Sequence, residues 1–107
     1  MDAGGHVVVV FRSRLNEGVD AEYEPEAARM VELVSSMPGF GGIKTFTAAD
    51  GERVSVIDFE SLEAEQAWRD HPEHRKTQQR GREEFYAGYR IQVCSLLRER
   101  TLGIDTR

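Results

Sequence analysis

Four valines and a phenylalanine stand in a row at Val7 to Phe11. A β-branched and aromatic run of that length is too short and too β-prone for a helix, so His6 to Leu15 is expected as the first strand. Strand side chains alternate between two faces, and here both parities are apolar, which implies cover on both sides of the sheet. The pattern then changes period. Tyr23, Ala27, Met30, Val31 and Val34 recur at helical spacing, with Glu24, Glu26, Arg29 and Glu32 on the other side. Asp20 would serve as an N-cap but leaves Pro25 beyond the first turn, so the helix is expected to start a few residues later. Met37-Pro38-Gly39 ends it.

Phe40 to Ala48 and Arg53 to Glu60 are β-rich runs joined through Asp50-Gly51, a hairpin signal, so these strands are expected to pair antiparallel. Ser61 offers an N-cap for a short helix over Leu62 to Asp70, with Ala64, Ala67 and Trp68 on its apolar face. Pro72 interrupts it and suits the first turn of a further helix from about Glu73 to Phe85, with Ala87-Gly88 as the exit. Tyr89 to Arg98 alternates again, with Tyr89, Ile91, Val93 and Leu97 on one parity and Arg90, Gln92 and Cys94 on the other, and reads as the fourth strand.

The fold class is therefore α+β, a ferredoxin-like β-α-β-β-α-β order with a four-stranded antiparallel sheet and helices on one face. Within one chain that arrangement leaves the second sheet face uncovered, although strand one is apolar on that side too. A homodimer packed face to face, a dimeric α+β barrel, is the simplest cover.

The chain has 107 residues, enough for one domain, expected over residues 6–100 between a loose start at 1–5 and a tail at 101–107. It carries 14 basic and 19 acidic side chains, a net charge of -5, which argues against nucleic acid as a partner because a phosphate binder needs excess cation. The imbalance is local: residues 1–67 hold 5 basic and 13 acidic groups, residues 68–107 hold 9 and 6. No apolar run is long enough to cross a membrane, and Met1 to Gly5 has neither the cationic nor the apolar region of a secretory signal, so the expected location is cytoplasmic. The single cysteine, Cys94, excludes an internal disulfide and a thiolate metal cage, and is expected as a buried, inert thiol.

His74, Gln78, Arg82 and Tyr86 recur every four residues, so one continuous helix would set them along a single flank. A flank with imidazole, guanidinium and phenol facing a cleft could hold and deprotonate a phenolic substrate, whereas on a solvated helix the same groups would do nothing more than face water. His71 and His74 bracket Pro72-Glu73, and a histidine titrates near neutrality, at about 6.5, so either could act as base; a histidine at a helix start is also a common cap. No third ligand accompanies them, which argues against zinc. Trp68 is expected in the core with an edge on the pocket. Asp58 shares its sheet face with Val54 and Val56, which suggests burial beside Arg12 or Arg90.

Two relatives of this topology do not fit. RNA-recognition domains need aromatic residues on the central strands, and Arg53 to Phe59 does not supply them; metal-carrying domains need paired thiols. From His6 to Arg100 the chain resembles the antibiotic biosynthesis monooxygenase domain of the dimeric α+β barrel superfamily. The resemblance rests on Met37-Pro38-Gly39-Phe40, on Phe59-Glu60-Ser61 with Glu63-Ala64, and on Ala67-Trp68. It rests most on Trp68-Arg69-Asp70-His71-Pro72-Glu73-His74, followed by Gln78 or Gln79, Gly81-Arg82, Phe85-Tyr86 and Tyr89.

The resemblance implies a homodimeric enzyme that oxidises a small hydroxylated aromatic, of quinol or anthrone type, with O2 and without metal or flavin. In that role His71 or His74 would be the catalytic base, Arg82 and Tyr86 donors to developing charge, Gln78 a further substrate contact and Trp68 a wall. The alternative is a non-catalytic dimer that binds a small molecule, or a haem-binding or haem-degrading relative. Haem-degrading members carry a histidine nine residues after the tryptophan and an asparagine on strand one; this chain has Thr77 and no asparagine before Asn16. Anthrone-oxidising members carry an asparagine one turn before the tryptophan, where this chain has Ala64.

Overall fold

A computed structural model describes residues 5–104. Residues 1–4 and 105–107 of the expected loose ends lie outside the described residues. The elements are β1 (Val7–Leu15), α1 (Asp20–Ser35), β2 (Phe40–Thr47), β3 (Arg53–Phe59), α2 (Leu62–Arg69), α3 (Pro72–Arg80), a π turn (Gly81–Phe85) and β4 (Tyr86–Ser95). The four strands form one antiparallel sheet in the order β2-β3-β1-β4, the ferredoxin-like arrangement, with the second helix broken into α2 and α3 at Pro72. None of the helices is long and apolar enough to cross a membrane among the described residues.

Registers assign each side chain to a face. Val7 pairs with Phe59 and Ser95, Val9 with Ile57 and Val93, and Phe11 with Ser55 and Ile91, so these residues look toward the helices. Val8, Val10, Val54, Val56, Arg12 and Arg90 occupy the other face. The core gathers under the helices from Val7, Val9, Val34, Ile57, Phe59 and Trp68, with Met30, Leu33, Met37, Phe40, Ile43 and Ala64 packed against it. Gly39 makes the entry to β2 possible: its φ is +81°, and a Cβ there would lie 2.6 Å from that of Ala64.

Several details depart from the sequence expectation. Helix α1 starts at Asp20, capped by Val19 without a side-chain bond, and holds Pro25 in its interior. The helix tolerates the missing donor because Ala21, whose carbonyl would have received it, is exposed and open to water. Val31 and Ala67 are exposed instead of buried, whereas Glu65 is buried on the inner side of α2. Ser61 caps α2 as expected, accepting from the Ala64 N–H at 3.1 Å.

The α-helical part of α3 stops at Arg80, and the π turn delivers an extended residue at Tyr86, so β4 begins three residues before the expected Tyr89 and ends at Ser95. Cys94 is exposed, because it lies on the helix-free face of an edge strand. Asp58 is half-buried, but Arg12 bonds Glu52 in two places, at 2.9 and 3.1 Å, and Arg90 is exposed.

Candidate functional site

The helix layer does not cover the whole sheet. Arg29 of α1 bonds Glu73 of α3 at 2.7 Å, Arg80 bonds Glu26 at 2.6 Å, and the Thr77 hydroxyl donates to Glu26 at 3.3 Å. These contacts hold α3 against α1. Tyr89, Ile91 and Val93 of β4 belong to the parity that faces the helices, yet they remain 46%, 47% and 43% exposed. Beside them on the same face is an aromatic cluster: Phe11 meets Tyr86 edge to face at 5.5 Å and lies 6.3 Å from Tyr89, and those two tyrosines are 5.9 Å apart.

On the helical wall, Trp68 is 8% exposed and its ring stacks on that of His74 with centroids 3.9 Å apart and planes within 13°. His74 Nδ1 lies 2.9 Å from the Trp68 carbonyl oxygen. A carbonyl only accepts, so Nδ1 carries the hydrogen and Nε2 is left as the lone-pair nitrogen of a neutral ring. Nε2 has no partner among the described residues and is not sealed from solvent. Burial lowers the His74 pKa below its ordinary 6.5, against the opposing pull of the Trp68 carbonyl, so the ring is a free base at neutral pH.

His71 has a different position. Its Nδ1 accepts the Glu73 N–H at 3.2 Å as the N-cap of α3, and its ring lies 6.1 Å from Trp68. Tyr86 is half-buried, with its hydroxyl 3.2 Å from that of Tyr23, and burial raises the phenol's pKa well above the ordinary value, so it stays protonated. Gly81 makes room for it: a Cβ there would lie 2.5 Å from the Tyr86 ring. Gln78 is half-buried and Arg82 exposed. The expected single flank does not form, because the π turn breaks the four-residue repeat after Gln78, leaving Arg82 in the turn and Tyr86 on a strand.

The structure thus brings together Trp68, His71 and His74, and places Tyr86 with Phe11 and Tyr89 in one aromatic cluster. One contributor was missed by sequence reasoning: Tyr23 meets Tyr86 through tertiary packing alone.

A separate cavity of about 430 Å3 is lined by His6, Gly39, Asp58, Glu60, Glu99 and Thr101 among others, and none of the six candidate residues reaches it. No group of three or more His, Cys, Asp and Glu among the described residues is placed to hold a metal ion.

The model of the antibiotic biosynthesis monooxygenase family matches residues 6–80, which is most of the chain and includes Trp68, His71 and His74. The chain belongs to this family. Among its relatives, the uncharacterized protein YqjZ of Bacillus subtilis (strain 168) is 35% identical over 101 residues, covering 94% of this chain and 88% of its own. Two solved structures share the fold at 18% identity. Rv0793 from Mycobacterium tuberculosis superposes with a TM-score of 0.80 over 91% of this chain and 100% of its own. SnoaB, a cofactor-independent oxygenase from Streptomyces nogalater, gives 0.76 over 94% and 100%. In this antibiotic biosynthesis monooxygenase chain, as in these folds, one sheet carries its helices on a single face.

Proposed function

We propose that the chain is a monooxygenase that oxidises a small hydroxylated aromatic, of quinol or anthrone type, in the cleft between α2–α3 and β4. The observation that carries the reading is the Trp68–His74 pair: a flat ring stacked on an imidazole whose outer nitrogen is a free base. The membership of the family and the fold shared with the oxygenase SnoaB support it.

The chemistry asks little of the protein. His74 Nε2 takes the phenolic or enolic proton, which makes the ring electron-rich enough to react with O2 directly. For an anthrone, a CH2 carbon becomes a carbonyl: one oxygen atom stays on carbon, the other leaves as water with the two hydrogens, and the substrate supplies all the electrons. Tyr86, kept protonated, donates to the developing oxygen charge; Trp68 and the β4 ladder exclude water; Gln78 lines the wall. His71 orders the start of α3, and Arg82 is exposed in the π turn.

The protein works as a homodimer in this reading. The helix-free face has an apolar centre at Val8, Val10, Val54 and Val56, and Phe46 on the same face is 50% exposed, a surface that a second copy would cover.

The test is oxygen uptake with a panel of quinols and anthrones, alongside sedimentation at micromolar concentration. The expectation is a dimer that consumes O2 and a His74→Ala variant slowed by about 100-fold, the low end for loss of a general base. Equal inactivity of both proteins across the panel would refute the catalytic reading, and a folded monomer would refute the dimer.

A further inference from the structure

All four strands have an end on one side of the sheet: β1 begins at Val7 and β2 at Phe40, while β3 stops at Phe59 and β4 at Ser95. Two backbone bonds tie the flanking segments together there, Glu60 N–H to the Gly39 carbonyl at 2.8 Å and Leu96 N–H to the His6 carbonyl at 2.9 Å. The chain beyond β4 then lies over these ends, because Glu99, Thr101 and Ile104 share the cavity of about 430 Å3 with residues of β2 and β3. That volume falls in the usual range for a small-molecule site, about 300–1,000 Å3.

The cavity is shaped around its polar groups. Asp58 pairs with Val8 on the helix-free face, and His6 and Glu60, two residues before Val8 and after Asp58, reach the same cavity. Two glycines at the entry to β2 make room for the carboxylates. The register shifts between Phe40 and Gly42, a bulge that carries Gly41. A Cβ at Gly41 would lie 3.2 Å from that of Asp58, and one at Gly39 would lie 3.1 Å from the Glu60 Cγ.

Charge decides what such a space can take. Asp58, Glu60 and Glu99 bring three carboxylates to it, and neither lysine nor arginine is among its described lining residues. Like charges gathered round one cavity repel each other and favour a cation inside it. No three of the described groups are placed to grip a metal ion. Carboxylates spread round a wall suit an ammonium on an organic body instead, with Phe40 and Ile104 as the apolar part of the lining.

We propose that this cavity binds a small primary amine with an apolar body, its ammonium held by Glu60 together with Asp58 and Glu99. None of Trp68, His71, His74, Gln78, Arg82 and Tyr86 lines it, so the site stands apart from the oxidation proposed above and does not rest on it.

The experiment titrates the full chain with three probes of similar shape, phenethylamine, phenethyl alcohol and phenylacetate, and follows the methyl resonances of Thr101 and Ile104. The amine is expected to give saturable shifts and to bind about tenfold tighter than the alcohol, the order expected when several partly exposed carboxylates share one ammonium. Phenylacetate should give no saturable shift at the same concentrations. Glu60 is exposed, so Glu60→Gln should melt with wild type while binding the amine about threefold more weakly or worse.

Equal affinity for amine and alcohol would overturn the choice of ligand. An amine that leaves Thr101 and Ile104 unmoved, or that shifts only residues outside the cavity, would overturn the site. Unchanged amine binding in Glu60→Gln would remove the anchor and the proposal with it.

Discussion

Strands β3 and β4 flank the same central strand and present the same alternation, yet they meet different surroundings. On β3 the helix-facing residues Ile57 and Phe59 are 9% and 1% exposed, closed over by Trp68, Val34 and the end of α1. On β4 the equivalent parity, Tyr89, Ile91 and Val93, lies open. The difference comes from the helices: ion pairs tie α3 to α1, and the layer stops short of the sheet's edge. One half of the sheet is covered by the helices; the other is half exposed.

The comparison breaks most visibly through truncation. Phe59→Ala is expected to cost about 3–5 kcal/mol in urea unfolding, the usual range for a large core aromatic, whereas Ile91→Ala costs about 1 kcal/mol or less. Equal losses would mean that β4 is covered in solution and that the cleft is not open.

Smaller in effect is Gly81→Ala. The added methyl meets the Tyr86 ring at 2.5 Å, so the ring must move. About 1–3 kcal/mol of stability should go, with a change in tyrosine fluorescence or in the Tyr86 resonances. A wild-type melting curve and spectrum would show that the π turn relaxes instead.

The two histidines sharpen the comparison further. His71→Ala should lose about 1 kcal/mol at neutral pH, the worth of an N-cap. His74 contributes through its proton. Its folded pKa lies below the unfolded 6.5, so the unfolded chain binds protons more readily; the stability due to a neutral His74 is fully present above pH 6.5 and is lost as pH falls through the lowered value. Wild type should therefore weaken more steeply between pH 7 and pH 5 than His74→Gln, in denaturation midpoints compared variant against wild type. Parallel slopes would mean that His74 is not buried as a neutral ring. Glu65 acts in the opposite sense, its raised pKa withdrawing stability as pH rises, and cancels in that comparison because both proteins retain it.

Much of the fold could be read along the chain because short-range chemistry dictates it. Val7 to Phe11 could be nothing but strand, Asp50-Gly51 could only turn, Ser61 stood where a cap was needed, and Pro72 had to break the second helix. The start of α1 was misread because the cost of an interior proline depends on whether water reaches the freed carbonyl. The candidate flank was misread for a related reason: a repeat of four assumes an uninterrupted helix, and the π turn that carries Gly81 to Phe85 is stabilised by Tyr86 packing on Gly81 and by the Asn16 N–H bonding the Phe85 carbonyl at 2.8 Å, the latter a contact far apart in sequence.

The sequence alone determined the order of elements, the pairing of the hairpin, the family resemblance and the proximity of Trp68, His71 and His74, since all of these follow from residues within a few turns of one another. Tertiary structure alone decided which face of each strand is covered, that His71 caps while His74 keeps a free nitrogen, and that a carboxylate is buried beside the tryptophan. The physical reason is that burial belongs to the packing of whole elements: identical alternation on β3 and β4 yields a core in one place and a half-exposed face in the other, according to where the helices come to rest.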